Sequence, residues 1–412
     1  MFLSDIWKII FNYLDFKSQL SLVSSATYFR NNLVITDLYH INDKYLESLT
    51  TKILKYPIFE NIIYLNASNN NNITNVSFLK SLKVLNADYN CGIEQDNIID
   101  PKLTKLSVID NKKITDLTFM KSLKNLIAIS NDFLSYHGVT QKSIDGLNLI
   151  KLDVHGNEKI TDISFMKSLK VLCASGKCGI NQENIKKLEL IELDADQNSE
   201  IYNVSFMKSL KILNANGKCG INQDGIKGLD LVELIVDDNR KIKNVSFMKS
   251  LKKLDASYKC GIDQNGICGL NLIYLDAHNN KKIKNVSFMK SLKILHMSGK
   301  CGISADVIKK LELVELNLCG NHVIKNVSFM KSLKKLEISC FSEVDQNGIL
   351  GLDLVELNAD DNDKITNVSF MKSLKILYAS LDCGINQNGI KGLNLSKLYC
   401  RFNKNFEKIN QY

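Results

Sequence analysis

The sequence predicts an α/β fold: a curved solenoid of about 17 coils with a parallel sheet along its concave face, entered through a small helical module. Three observations carry that expectation. One phrase recurs with a period of 41 residues, from Asn203-Val204-Ser205-Phe206-Met207-Lys208-Ser209-Leu210-Lys211 to Asn367-Val368-Ser369-Phe370-Met371-Lys372-Ser373-Leu374-Lys375. Its phenylalanine stands at Phe78, Phe119, Phe165, Phe206, Phe247, Phe288, Phe329 and Phe370, in steps of 41 apart from a single step of 46. Within each period Leu-x-x-Leu-x-Ala or a close variant occurs twice, as at Leu190, Leu193, Ala195 and again at Leu210, Leu213, Ala215, so the coils are 20 and 21 residues long. The opening residues do not repeat. The chain therefore divides into a helical module (1–35), a connecting and capping helix (36–61) and the solenoid (62–412).

Leu3, Ile6, Ile9, Ile10, Phe11 and Leu14 follow helical spacing, with Ser4 placed to cap the helix before Asp5. A second short helix is expected after Asp15, carrying Leu20, Leu22 and Val23, with Phe29 beyond it. The order Leu3-Ser4-Asp5-Ile6, Ile9-Ile10, Tyr13-Leu14-Asp15, Leu20-x-Leu22-Val23-Ser24, Phe29 resembles the F-box. That resemblance implies docking on a Skp-type adaptor, and the apolar residues to make the contact are Leu3, Ile6, Ile10, Leu14, Leu20 and Val23. Ser4, Ser24 and Phe29 stand where the F-box pattern has proline, cysteine and tryptophan. A plain helical cap closing the first coil is the alternative reading. Asn42 to Pro57 reads as a connecting helix leading into the first strand at Ile63-Tyr64-Leu65.

In the first half of each period an asparagine lies five residues beyond the second leucine, at Asn70, Asn111, Asn157, Asn198, Asn239, Asn280, Asn321, Asn362 and Asn403. An inward amide there can bond backbone groups where the chain leaves the strand and ladder partners run out. Short strands with inward leucines, each followed by a turn, resemble the leucine-rich repeat from about Ile62 to about Ile409. The second half reads Cys219-Gly220-Ile221-Asn222-Gln223-Asp224-Gly225-Ile226-Lys227-Gly228-Leu229 and is similar to the cysteine-containing leucine-rich repeats of F-box proteins.

Cys91, Cys178, Cys219, Cys260, Cys301 and Cys383 share that cysteine position. Successive members two coils apart are separated by about 10 Å at strand spacing, beyond the roughly 7 Å that a disulfide tolerates, so buried thiols are expected. No Cys-x-x-Cys pair occurs and no signal peptide is read, which fits a reducing compartment and a cytoplasmic location, that of the host cell if the chain is viral. No apolar run approaches the roughly 18 residues of a membrane span. The net charge of +9 sits largely in two lysine files before the strands, Lys80 to Lys372 and Lys83 to Lys375. They read as a solvated flank. Aromatic residues that would stack bases are not interleaved there, which argues against nucleic acid.

Residues flanking the buried leucine and alanine should line the concave sheet. In the asparagine halves they include Glu192, Asp194, Asp196, Glu233, Asp237, Asp276, His278, Glu315, Glu356 and Asp360, an acidic stripe, while the cysteine halves offer neutral or mixed groups such as Asn214, Asp255, His296 and Tyr378. Varied side chains on a constant frame suit a protein ligand. Catalysis needs unlike groups converging within a few ångströms, and a rail of repeats spreads like groups apart, so no catalytic residue, metal or cofactor is expected. His278 and His296, on adjacent coils near Asp276, form the one conceivable polar site. The 46-residue step places a bulge at Asn131 to Gly138, with Phe133 and Tyr136 as contact candidates, and Phe406 and Ile409 belong to a last, incomplete capping coil.

The near-identical repeats, rich in asparagine, lysine and isoleucine, look like the repeat families of giant viruses. The F-box resemblance implies a substrate receptor of a Skp-cullin-F-box ubiquitin ligase that holds its target on the concave sheet. The alternative is a scaffold or inhibitor that binds a protein through the sheet and whose N-terminal helices only cap it.

Overall fold

The structure, a computed structural model, describes residues 14–25, 33–40, 43–98, 102–131 and 138–406. Leu3, Ile6, Ile10, Phe133, Tyr136 and Ile409 lie outside the described residues. The chain forms two compact units divided between Ile201 and Tyr202, and each is a stack of parallel-sheet coils.

Helix α1 (Phe16–Ser25) starts after Asp15 as the sequence predicts, because the Asp15 carboxylate accepts the Ser18 N–H at 2.8 Å and so caps the first turn. Val23 is buried, while Leu14 and Leu20 are half-buried. The next segment departs from the expectation of a single connecting helix. Leu33, Ile35 and Leu38 are all buried, and a short strand β1 (Asp37–Leu38) pairs in parallel with Tyr64 and Leu65. The run Val34-Ile35-Thr36 favours extended backbone. Helices α2 (Asp43–Ser48) and α3 (Thr51–Leu54) and a 3₁₀ turn at Pro57–Phe59 then carry the chain to the second strand. Two local signals break the helix into pieces: the Thr50 hydroxyl caps α3 by accepting the Ile53 N–H at 3.2 Å, and Pro57 opens the 3₁₀ turn. Leu46, Leu49, Leu54 and Phe59 are buried on the first regular coil, so this segment is itself a helical first coil.

The first unit continues with β2 (Tyr64–Asn66), β3 (Val84–Asn86), β4 (Lys105–Ser107), β5 (Asn125–Ile127), β6 (Lys151–Asp153), β7 (Val171–Cys173) and β8 (Glu192–Asp194). The second unit holds β9 (Ile212–Asn214), β10 (Glu233–Ile235), β11 (Lys253–Asp255), β12 (Tyr274–Asp276), β13 (Ile294–His296), β14 (Glu315–Asn317), β15 (Lys335–Glu337), β16 (Glu356–Asn358), β17 (Ile376–Tyr378) and β18 (Lys397–Tyr399). Within each unit successive strands pair in parallel with leucine opposite leucine, as Leu254 opposite Leu275 and Leu275 opposite Leu295. That register stacks the repeats in identical layers. Leu210, Leu213 and Ala215 point inward, as do Val204 and Met207 of the recurring phrase, whereas its Phe206 lies on the flank and is 39% exposed.

Three side-chain ladders tie neighbouring coils. All nine repeat asparagines are buried. Asn239 is typical: its amide donates to Ala215 O (2.7 Å) and Ile221 O (3.2 Å) of the preceding coil, and its carbonyl accepts Lys241 N–H and Ile242 N–H of its own turn. The first rung fastens the helical coil, with Asn70 donating to Leu46 O and Leu49 O. The glutamine of the cysteine half forms a second, exposed ladder that the sequence reading missed. Gln264 accepts Lys284 N–H (3.0 Å) and Asn285 N–H (2.7 Å) and donates to Asn285 O (2.9 Å) of the following coil. Lysines form the third. In the first file Lys249 Nζ donates to Ser246 O and Lys372 Nζ to Ser369 O, each within its own turn; the second file crosses to the following coil, Lys293 Nζ reaching Glu312 O and Lys375 Nζ reaching Asn394 O. The lysine flank is solvated, and it also satisfies carbonyls left open by the turns.

The six core-position cysteines are thiols, as the spacing predicts; five are buried and Cys178 is half-buried. Burial pushes the Cys260 thiol up to about 12 and that of Cys301 up to about 11. Among the described residues no helix is long and apolar enough to cross a membrane.

Candidate functional site

The outward face of the sheet is set by the alternation of each strand. In β8 and in β10 to β17 the central leucine is buried, and the residues on either side of it point away from the core. Register then turns single positions into rows across adjacent coils. One row of the second unit runs Glu233, Lys253, Tyr274, Ile294, Glu315, Lys335, Glu356. The next runs Asp255, Asp276, His296, Asn317, Glu337, Asn358, Tyr378.

The acidic stripe read from the asparagine halves is therefore interrupted in its first row. Lys253 Nζ lies 3.1 Å from Glu233, and Lys335 Nζ lies 3.5 Å from Glu356 and 3.9 Å from Glu315. The interleaved cysteine halves supply these lysines. Register places Lys335 between Glu315 and Glu356 and Lys253 between Glu233 and Tyr274, so both charged ends of the row mix signs on either side of the neutral Tyr274 and Ile294.

The second row is more deeply set. His296 is held between two carboxylates, with Nδ1 3.4 Å from Asp276 Oδ2 and Nε2 3.2 Å from Glu315 Oε1, each of the three side chains being about a quarter exposed or less. The Tyr274 hydroxyl comes within 3.4 Å of the same Nδ1, and its ring meets the imidazole edge-on. Burial opposes the charged imidazole, but Asp276 and Glu315 together outweigh it and raise the His296 pKa. Two coils back, on β11, burial pushes the Asp255 carboxyl up to about 6, against the pull of its Ser257 hydrogen bonds and with further push from Asp276 and Asp237. Burial likewise raises Asp237 and Glu337. From sequence Asp255 reads only as one of the mixed groups of the cysteine halves, and Glu337 is not singled out. They sit mid-face in cysteine halves, where the mixed character of the position concealed them.

His278 does not join His296. Its Nε2 lies 2.9 Å from Asn279 Nδ2 and its ring stands edge-on to Tyr258 at 4.7 Å, while its N–H donates to Asp276 Oδ1. Asp360 accepts the Ser380 N–H at 2.5 Å. Glu192, Asp194 and Asp196 lie half-buried on and just after the last strand of the first unit, where Asp194 Oδ1 accepts the Asp196 N–H. Beyond the strand ends of the second unit, Arg240, Lys259, Lys281 and Lys282 line an open cleft with Tyr258 and Asn279. The turns there are basic while the neighbouring sheet row is acidic. Among the described residues no group of three or more His, Cys, Asp or Glu side chains is placed to hold a metal ion.

No protein-family model matches the chain, and no curated protein matches it either. Solved structures of similar form include TLR13 in its complex with ssRNA13 (TM-score 0.46, 18% identity, 83% of this chain and 71% of that one). Others are a chain of the yeast Rad7 and Elc1 complex (0.43, 17%, 82% and 88%) and CroV588, a circular leucine-rich-repeat protein (0.41, 18%, 86% and 60%).

Proposed function

We propose that this chain is a protein-recognition subunit that grips its target on the outward sheet face of the coils and docks through its N-terminal segment on a Skp-type adaptor, so acting as a substrate receptor of a Skp-cullin-F-box ubiquitin ligase. The observation that carries the recognition half is the contrast between frame and face. Asparagine, leucine and glycine positions repeat almost unchanged, while the register rows present glutamate, lysine, tyrosine, isoleucine, aspartate and histidine in turn. Such an array offers charge-assisted bonds and aromatic surface to a polypeptide. The adaptor half rests on the F-box-like order of residues 3–29 and on Leu14 and Leu20, which helix α1 and its approach leave half-exposed. Val23, buried, supports the segment from inside. Such a receptor would work in the cytoplasm, of a host cell if the chain is viral.

Reconstitution tests the adaptor half. The purified chain mixed with a Skp-type adaptor should co-elute on size exclusion, and Leu14→Asp should abolish co-elution with an unchanged melting curve. Separate elution of the intact chain and the adaptor would overturn the ligase reading and leave the recognition scaffold.

A further inference from the structure

The pairing of β14 with β15 continues past the strands: Leu318 N–H donates to Glu337 O at 2.8 Å and Gly320 N–H to Ser339 O at 3.1 Å. Cys319 therefore stands opposite Ser339, and Cys340 is one residue further along the neighbouring coil. At strand spacing that diagonal is about 6 Å between Cα atoms, inside the range a disulfide accepts. The Ser339 hydroxyl, opposite Cys319 in the register, lies 3.3 Å from Cys340 Sγ and so sits between the two thiols' positions. Cys340 is exposed and Cys319 half-buried.

The repeat makes this pairing stand out. In equivalent coils the Cys319 position holds Asp237, His278 or Asp360, and the Cys340 position, a left-handed one with φ 55°, holds Gly299, Tyr258 or Leu381. Each coil carries its extra cysteine where the other can reach it, and the second coil has replaced its core cysteine with the buried Ser342. The core row cannot do this, since its members are two coils apart.

We propose that Cys319 and Cys340 form a peroxide-oxidisable dithiol, closing to a disulfide that staples two neighbouring coils at the rim of the recognition face. The exposed Cys340 attacks the peroxide: its sulfur bonds to one oxygen, the O–O bond breaks, and a sulfenic acid and one water result. The Cys319 sulfur then attacks the sulfenic sulfur, the S–O bond breaks, and the hydroxyl leaves with the thiol proton as a second water. Two thiols lose two electrons and two protons, and hydrogen peroxide becomes two waters. Burial and the neighbouring thiol push Cys319 up to about 11, which fits a resolving role after Cys340 has reacted.

Non-reducing peptide mapping of the full chain after hydrogen peroxide tests this. The expected result is a Cys319–Cys340 cross-linked peptide lighter by two hydrogens, lost on reduction with dithiothreitol and absent from Cys340→Ser, with a higher melting temperature for the oxidised chain. Cys319→Ser should leave Cys340 as a sulfenic acid that reacts with dimedone. Oxidation of Cys340 to the sulfonic acid with Cys319 still a thiol, or disulfides formed only between chains, would overturn the proposal.

Discussion

At the scale of single residues, buried amides and carboxyls decide most of the behaviour. Asn239 makes four backbone hydrogen bonds from a buried site, and leaving such groups unpaired costs roughly 1–3 kcal/mol. Asn239→Ala should therefore lower the melting temperature by several degrees, read by circular dichroism. The role of the asparagines was legible from spacing alone, because an inward amide at a fixed distance past the strand has few other uses. The nearness of His296 to Asp276 was legible from adjacent coils, but its second carboxylate, Glu315, and the burial of Asp255 were not, since these environments depend on which coil lies beside each residue. Asp255 and His296 make the second unit sensitive to pH. Asp255 holds a proton up to about pH 6, against an ordinary value of 3.8, so the folded chain binds more protons than the unfolded one in that interval and stability falls as pH rises through it. The contribution of His296 is complete below its ordinary 6.5 and is lost as pH rises through its raised folded value. Both act in the same direction. Melting temperature should decline as pH rises from about 4 to about 6 and again through the raised His296 value; Asp255→Asn should flatten the lower part by an amount on the order of 3 kcal/mol, and His296→Gln the upper part.

At the scale of the coil, the frame is fixed by close approach as much as by leucine burial. A Cβ at Gly266 would lie 2.2 Å from Lys243 O, a backbone atom of the preceding turn that cannot swing aside. Gly266→Ala should destabilise the chain by more than about 1 kcal/mol in urea titration, whereas Gln264→Ala, which removes an exposed set of bonds, should cost about 1 kcal/mol. Equal effects would mean that the glycine contact is relieved by a small shift. The period, coil lengths, inward leucines and strand positions were all readable, because each is a consequence of spacing repeated many times. The first coil was less so. Among the described residues β1 has a single partner, its two residues occur once, and only contact with Tyr64 and Leu65 distinguishes them from a loop. The glutamine ladder was missed for another reason: its residue recurs visibly, but an exposed amide gives no sign in sequence of which coil it bonds.

At the scale of the molecule, the claim is a division of labour between an N-terminal docking segment and a sheet face that holds the target. The two halves should be separable, because helix α1 and the rows around Glu315 lie in different units of the chain. The measurement that tests this most directly is quantitative mass spectrometry of proteins recovered with the chain from eukaryotic cells, comparing the intact chain with Leu14→Asp and with Glu315→Lys/Glu356→Lys, all three melting alike. The account predicts a crossed pattern: Leu14→Asp loses the Skp-type adaptor and keeps the other bound proteins, while the sheet variant keeps the adaptor and loses them. Retention of every partner by both variants, or loss of the same set by both, would contradict it.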